Sequence, residues 1–172
     1  KIRAEAWKKY ELLRSTDEIY DVFISCKQKS TYGPGITDDN DLGRRIKERL
    51  TKEGYGRVFL ASEDLKDHPG EDYEPIIYNA LYSARVMLLI AATPPNKDPA
   101  HPVDYLNSPW VANEWQRFLK MAEDTERGAG KILIPVLHNG FEVYELPEGL
   151  KKKQAMKFDG DFFDRLFPIL KP

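Results

Sequence analysis

The chain has 172 residues, of which 41% are hydrophobic and 31% are charged, and its formal net charge is −2. This size and composition predict one folded domain with a sizeable core. The balanced charge provides no broad basic field, so nucleic-acid binding is not indicated. No apolar run approaches the ~20 residues that a membrane-spanning helix needs, and the N-terminus does not resemble a secretory signal.

The single cysteine, Cys26, excludes an intrachain disulfide and favours a reducing, cytoplasmic location. The chain begins with Lys1 rather than Met, so we expect it to be a fragment of a longer protein. Residues 1–16 carry a ragged apolar stripe among charges, which is typical of a helix. We therefore predict a helical connector over 1–18, from a missing upstream region, and a folded domain over 19–172. The alternative is that this first helix packs beside the domain.

Strand-like and helix-like segments alternate along the chain. The predicted strands are 20–25, 57–61, 85–92, 131–137 and 155–158. The predicted helices are 42–52, 73–83, 109–124 and 161–169. This alternation predicts an α/β fold in which a parallel sheet has helices on both faces. The third strand is apolar throughout, which indicates a strand covered on both faces.

Three finer predictions concern the ends of these elements. One of residues 39–41 is expected to cap the helix that begins at 42. Residues 62–71 are expected to form a polar loop. Pro135 cannot donate a backbone hydrogen bond, so its strand should lie towards a sheet edge or end there.

Long loops follow the first three predicted strands, over residues 26–41, 62–72 and 93–109. In open parallel sheets, ligands bind beyond the carboxyl ends of the strands, which is where these loops lie. Lys27 and Lys29, just past the first strand, are candidates to meet a phosphate group. The alternative is that both lysines are solvated surface residues.

A helix start at residues 107–119 places an aromatic ring beside a carboxylate. Ser108 is a natural N-cap, and Pro109 suits the first helical position. Trp110 and Glu114 are four residues apart and therefore lie on one helix face. On a cleft wall, this face would offer a stacking surface and an anion side by side. The alternative is that Trp110 packs in the core and Glu114 is a solvated surface charge.

Other common reactive groups are poorly represented. The three histidines are scattered without ligand spacing, and one cysteine cannot form a thiolate site, so we expect no metal centre. Cys26 is better interpreted as a small buried hydrophobe than as a nucleophile. No nucleophile elbow, Walker A sequence or dinucleotide-binding glycine pattern is present.

Glu114 therefore remains the strongest single reactive candidate. Most enzymes that hydrolyse sugar bonds use two carboxyl groups, one of which protonates the leaving group. A leaving group that departs neutral without protonation needs only one. The nicotinamide–ribose bond of NAD is such a case, because the pyridinium leaves as neutral nicotinamide.

Four segments then occur in a recognisable order: Y-D-V-F-I-S at 20–25, S-E-D-L-K-D-H-P-G-E-D-Y at 62–73, the third strand at 84–91, and W-V-A-N-E at 110–114. Together they resemble the TIR (Toll/interleukin-1 receptor) domain family over residues 20–172. The last segment is similar to the W-x-x-x-E signature of TIR domains that cleave NAD, as bacterial members do. The resemblance implies a flavodoxin-like sheet of five parallel strands.

The resemblance also implies an activity and a site. The activity is an NAD glycohydrolase, releasing nicotinamide and ADP-ribose or a cyclic ADP-ribose, with NAD as substrate and no resident cofactor. Glu114 would be the catalytic residue. The residues implied to face NAD are Ser25, Cys26, Lys27, Gln28, Lys66, Tyr73 and Trp110. Self-association through TIR–TIR contacts and a role in bacterial defence or signalling are further implications.

Two other interpretations of the sequence stay open. One is a non-catalytic TIR–TIR interaction module, against which the presence of Glu114 argues. The other, more remote, is an enzyme similar to nucleoside 2-deoxyribosyltransferases, against which the first-strand motif argues.

The chain also departs from many TIR domains. Its loop after the first strand is longer and has an acidic end that would repel phosphates unless its side chains serve as caps. Lys66 stands where some relatives carry an acid, and it would suit an anion. The proline-rich stretch at 94–109 is expected to shape or cover the cleft.

Overall fold

Five parallel strands form the centre of the fold in the computed structural model, which describes residues 19–126 and 128–171. The strands are β1 (Val22–Ser25), β2 (Val58–Leu60), β3 (Val86–Ala91), β4 (Ile132–Leu137) and β5 (Met156–Lys157). Their order across the sheet is β2-β1-β3-β4-β5, and every neighbouring pair is parallel. The predicted α/β, flavodoxin-like fold is confirmed. The predicted helix over 1–16 and the connector over 1–18 lie outside the described residues.

Helices cover both faces of the sheet. They are α1 (Asp38–Lys52), α2 (Ala61–Asp64), α3 (Tyr73–Ser83), α4 (Pro109–Ala122) and α5 (Phe162–Leu170). Successive strand residues point to opposite faces, so Phe23 packs in the core under α3 and α4, whereas Ile24 packs under α1 and α5. Every residue of β3 is buried, as its apolar run predicted. Within the described ranges, no helix has the length and apolar character needed to cross a membrane.

The start of α1 corrects the predicted cap. The helix begins at Asp38, four residues before the predicted start, and Thr37 rather than one of residues 39–41 is the N-cap. Thr37 has an extended backbone, and its hydroxyl accepts the N–H of Asn40 at 3.0 Å. Three aspartates therefore fall in the first turn, where the helix dipole favours negative charge.

The segment 62–71 was wrongly predicted to be loop alone. It contains most of α2 and a 3₁₀ turn at Leu65–Asp67. The Asp64 carboxylate accepts the N–H of Leu60 and pairs with Lys47, both at 2.7 Å. Because Lys47 lies on α1, this stabilising contact is long-range and has no signature in local periodicity.

Pro135 lies in a part of β4 that pairs on one side. β4 pairs with β3 along all its residues, but with β5 only through Val136 and Leu137. The strand is next to the sheet edge, and Pro135 precedes its paired outer section. This agrees with the expectation that the proline marks a strand towards the edge.

Two glycines with a left-handed backbone conformation form the turn between α1 and β2. Gly54 and Gly56 both have positive φ, at 75° and 80°. A Cβ at position 54 would meet open space, whereas one at 56 would lie 2.5 Å from Asp21 Oδ2, which accepts the N–H of Arg57.

We expect Gly54→Ala to lower the free energy of unfolding by about 1 kcal/mol and Gly56→Ala to lower it by at least about twice as much. Urea unfolding of both variants measures this, and equal losses would contradict the described contact.

Candidate active site

A cleft of about 530 Å³ opens at the carboxyl end of β1, between the loop that follows this strand and the starts of α3 and α4. Its volume is in the range of small-molecule binding sites. Its lining residues are Cys26, Lys27, Gln28, Lys29, Leu65, Tyr73, Ile77, Ser108, Trp110 and Val111. The structure therefore brings together five of the seven residues that the resemblance implied to be ligand-facing, from three separate segments, and Lys29 joins them.

Two aromatic rings form one wall of the cleft. Tyr73 and Trp110 meet edge to face, with ring centroids 5.8 Å apart. Trp110 is also supported from behind by Tyr78, at 6.1 Å between centroids. Tyr73 is 56% exposed, so its ring remains available to a ligand. The wall can stack against a flat ring, as the spacing of Trp110 suggested.

The start of α4 is only partly as predicted. Ser108 occupies the N-cap position and Pro109 the first helical position. The Ser108 hydroxyl, however, makes no cap bond and donates instead to the carbonyl of Tyr105 at 2.7 Å. A 3₁₀ turn at Tyr105–Asn107 presents this carbonyl, so the hydroxyl stabilises the turn that leads into the helix.

Glu114 lies one helical turn beyond Trp110 and is 4% exposed. Its carboxyl accepts a 2.7 Å hydrogen bond from the hydroxyl of Ser25, the last residue of β1. Burial raises the pKa of Glu114 to about 8, and the bond from Ser25 opposes this effect. The alternative interpretation of Glu114 as a solvated surface charge is therefore wrong.

The acidic end of the loop after β1 is largely neutralised. Asp38 pairs with Lys97, and Asp41 pairs with Arg44 at 2.9 Å. Asp39 is buried, and this burial raises its pKa to about 7. Repulsion of a phosphate by this segment is consequently weaker than its sequence suggests, while Lys27 and Lys29 line the cleft beside it.

The loop after β1 is a short hairpin rather than an irregular loop. Lys29 and Ile36 form an antiparallel bridge. At its tip, the Tyr32 hydroxyl donates to the carbonyl of Pro102 at 3.0 Å, and the Tyr32 and His101 rings lie 4.9 Å apart. The proline-rich segment thus supports the hairpin, and through it this side of the cleft.

The sequence profile of the TIR domain matches residues 22–168. The chain belongs to the TIR domain family. No curated protein gives a significant match.

The fold of this TIR domain is also found in solved structures. A metazoan TIR-STING receptor from C. gigas, in complex with 2′,3′-cGAMP, matches with a TM-score of 0.58 and 23% identity. That match covers 90% of this chain and 40% of the receptor chain. A second structure, of a metazoan TIR-STING receptor from C. gigas, matches with a TM-score of 0.58 and 21% identity. This match covers 90% of this chain and 41% of the receptor chain. At this identity the likeness shows the fold, and the TIR domain spans about two fifths of the receptors' length.

Two predicted ligand-facing residues, Lys66 and Ser25, do not line the cleft of this TIR domain, and neither does the predicted catalytic residue Glu114. Lys66 is exposed, and its neighbour Leu65 lines the cleft instead. Leu65 was missed, although it is the one leucine in the polar segment 62–72. Ser25 is 1% exposed, and its hydroxyl donates to Glu114.

The structure does not favour Cys26 as a nucleophile or a metal site among the described residues of this TIR domain. Burial raises the pKa of the Cys26 thiol, with the charges of Asp39 and Glu114 adding to the effect. A thiol with a raised pKa is a poor nucleophile at neutral pH. Among the residues that the structure describes, no group of three or more His, Cys, Asp or Glu side chains could hold a metal ion.

Burial of Glu114 predicts that the free energy of unfolding depends on pH. The pKa of this group is raised from 4.5 to about 8 in the folded state, so folding becomes less favourable as pH rises through this interval. Glu114→Gln cannot ionise and still accepts a hydrogen bond from Ser25. We expect it to be more stable than the wild type at pH 9 by a few kcal/mol, because one pH unit corresponds to about 1.4 kcal/mol.

Urea unfolding at pH 5, 7 and 9 measures this difference. Glu123→Gln, at the exposed end of α4, is the matched control and should show a small offset that does not change with pH. A Glu114→Gln offset that is equally constant from pH 5 to pH 9 would show that Glu114 ionises normally.

Proposed function

We propose that this TIR domain is an NAD glycohydrolase that cleaves the nicotinamide–ribose bond. The observation that carries the proposal is the placement of Glu114. Its carboxyl is buried in the sequence W-V-A-N-E and does not itself line the cleft. Trp110, one helical turn earlier on α4, and Cys26, next to the hydrogen-bond partner Ser25, do line it. A buried carboxyl with a raised pKa beside a cleft is typical of a functional group rather than of a structural one.

The reaction balances with a single carboxylate. The bond between ribose C1′ and the pyridinium nitrogen breaks, and its electron pair neutralises the departing nicotinamide. A water oxygen bonds to C1′ and its proton passes to solvent, giving ADP-ribose. Attack on C1′ by another nucleophilic group of the same molecule, which also releases its proton to solvent, gives a cyclic product instead. Ionised Glu114 would stabilise the positive charge that develops on the ribose.

The raised pKa of Glu114 is compatible with this role because the substrate is itself a cation. With a pKa of about 8, the free carboxyl is mostly protonated at pH 7. A nearby positive charge favours the ionised form and lowers the pKa of an acid. Binding of the nicotinamide ring would therefore generate the carboxylate where it is needed.

The cleft residues suit the other parts of NAD. Tyr73 and Trp110 would hold the nicotinamide ring, and the ammonium groups of Lys27 and Lys29 would meet the diphosphate. Cys26 and Gln28 would contribute to the cleft wall between the aromatic rings and the two lysines. Lys66, exposed beside Leu65, would reach the ligand only from the mouth of the cleft.

A non-catalytic TIR–TIR interaction module is the second candidate. It is favoured by two apolar side chains on the hairpin, Tyr32 and Ile36, which are 56% and 70% exposed. Such side chains are suited to a protein contact. Self-association by itself is compatible with the enzyme, and self-association of TIR domains and a role in defence or signalling both belong to the proposal.

Incubation with NAD tests the enzyme directly. We expect the wild type to release nicotinamide and Glu114→Gln to release at least about a hundredfold less, because the developing charge is no longer compensated. Glu123→Gln should retain wild-type activity. Chromatography at several protein concentrations, with and without a crowding agent, follows nicotinamide and separates linear from cyclic product.

Two results of that assay would contradict the proposal. Equal turnover by the wild type and Glu114→Gln would remove Glu114 from the mechanism. Absence of turnover in the assembled full-length protein would favour the interaction module.

The pH dependence of the reaction provides a separate test. We expect kcat/KM to rise about tenfold per pH unit below pH 8 and to level off above it, because it reports the free enzyme and the pKa of its Glu114 is about 8. The corresponding midpoint in kcat should lie lower, because bound NAD favours the carboxylate. Steady-state rates from pH 5.5 to 9.5 measure both midpoints, and rates that fall between pH 6 and 8 would contradict an ionised Glu114.

A further inference from the structure

Ser25 is held rigidly at the end of a central strand. β1 lies between β2 and β3, and Ser25 pairs in register with Leu89 of β3. Its side chain is 1% exposed and does not line the cleft, although the next residue, Cys26, does. A ligand in the cleft would therefore contact the chain after Ser25 rather than Ser25 itself.

The hydroxyl of Ser25 is the hydrogen-bond partner of the Glu114 carboxyl. The bond joins Ser25 Oγ to Glu114 Oε1 at 2.7 Å, between residues that are 89 positions apart in the chain. In the part of the chain that the structure describes, no other group donates a hydrogen bond to this carboxyl. One side chain on β1 thus fixes one oxygen of a side chain on α4.

The other carboxyl oxygen is in a different environment. Glu114 Oε2 accepts no hydrogen bond from the described residues. The hydrogen bond from Ser25 consequently distinguishes the two oxygens: Oε1 is anchored by a protein donor, and Oε2 is not.

We propose that Ser25 is a positioning residue, which anchors Oε1 of Glu114, leaves Oε2 as the oxygen that can act on the substrate and favours the carboxylate form. This inference rests on the proposed function and changes the role that the resemblance implied for Ser25, from contacting NAD to acting through Glu114. A donor to the charged form of an acid promotes its ionisation, so the bond opposes the effect of burial. Glu114 can then ionise within its apolar surroundings.

Three variants separate this role from a structural one. Ser25→Ala removes the donor and leaves a smaller apolar side chain in the strand. Ser25→Thr keeps a hydroxyl on a residue that suits strands. Ser83→Ala is the matched control, because the Ser83 hydroxyl also lies at the end of an element but bonds to Tyr20 and Ala80, not to Glu114.

The first measurement needs no substrate. The carboxyl carbons of glutamate are labelled with ¹³C in the 172-residue chain, and Glu114 is assigned as the signal missing from Glu114→Gln. We expect Ser25→Ala to raise the pKa of Glu114 enough to lower its ionised fraction at pH 7 by about tenfold. Ser25→Thr and Ser83→Ala should titrate as the wild type does. An unchanged midpoint in Ser25→Ala would overturn the proposal.

The second measurement uses NAD turnover across pH. Ser25→Ala should lose about tenfold in kcat/KM at pH 7 and recover towards the wild type above pH 9, because the midpoint of its kcat/KM profile moves up by about one pH unit. A raised KM with an unchanged pH profile would instead identify Ser25 as a substrate contact and overturn the proposal. If no variant or wild type turns over NAD, the proposed function fails, while the ¹³C titration still decides whether Ser25 controls Glu114.

Discussion

The hydrogen bond between Ser25 and Glu114 joins the two halves of the candidate site. It links the last residue of β1 to the second turn of α4 at a point where both are buried. A buried carboxyl without a partner carries a large desolvation penalty, and a single donor reduces that penalty without abolishing it. The result is an acid whose pKa is near 8. Such a group titrates under ordinary conditions and responds to a positive charge placed beside it.

The rest of the fold holds this pair in place. Because the strands are parallel, their carboxyl ends meet at one edge of the sheet, and the loops at that edge form the cleft. α3 and α4 lie on the same face, so Tyr73 and Trp110 meet there at the start of their helices. The same geometry brings Cys26, Lys27 and Lys29 to the lining of this cleft. Aromatic surface and cationic side chains thus line one volume, and the titratable acid is buried one helical turn beyond Trp110.

Folding neutralises most of the negative charge at residues 38–41. The sequence of these residues suggests an anionic segment beside Lys27 and Lys29, the residues proposed to meet phosphate groups. In the structure, Asp38 and Asp41 form ion pairs, and Asp39 is buried with a pKa near 7. Thr37, rather than an acid, caps the helix. The partners of these groups include Lys97, 59 residues from Asp38, so local sequence could not have revealed the neutralisation.

The sequence by itself determined the order of strands and helices, the buried character of β3 and the common face of Trp110 and Glu114. These features follow from local periodicity, which specifies the side chains that share a face. Only the tertiary structure decided that Glu114 is buried, that Ser25 is its partner, that Leu65 rather than Lys66 lines the cleft, and that Thr37 caps α1. The reason is physical: desolvation and hydrogen bonding depend on which distant segments come together, and the bond that controls Glu114 spans 89 residues.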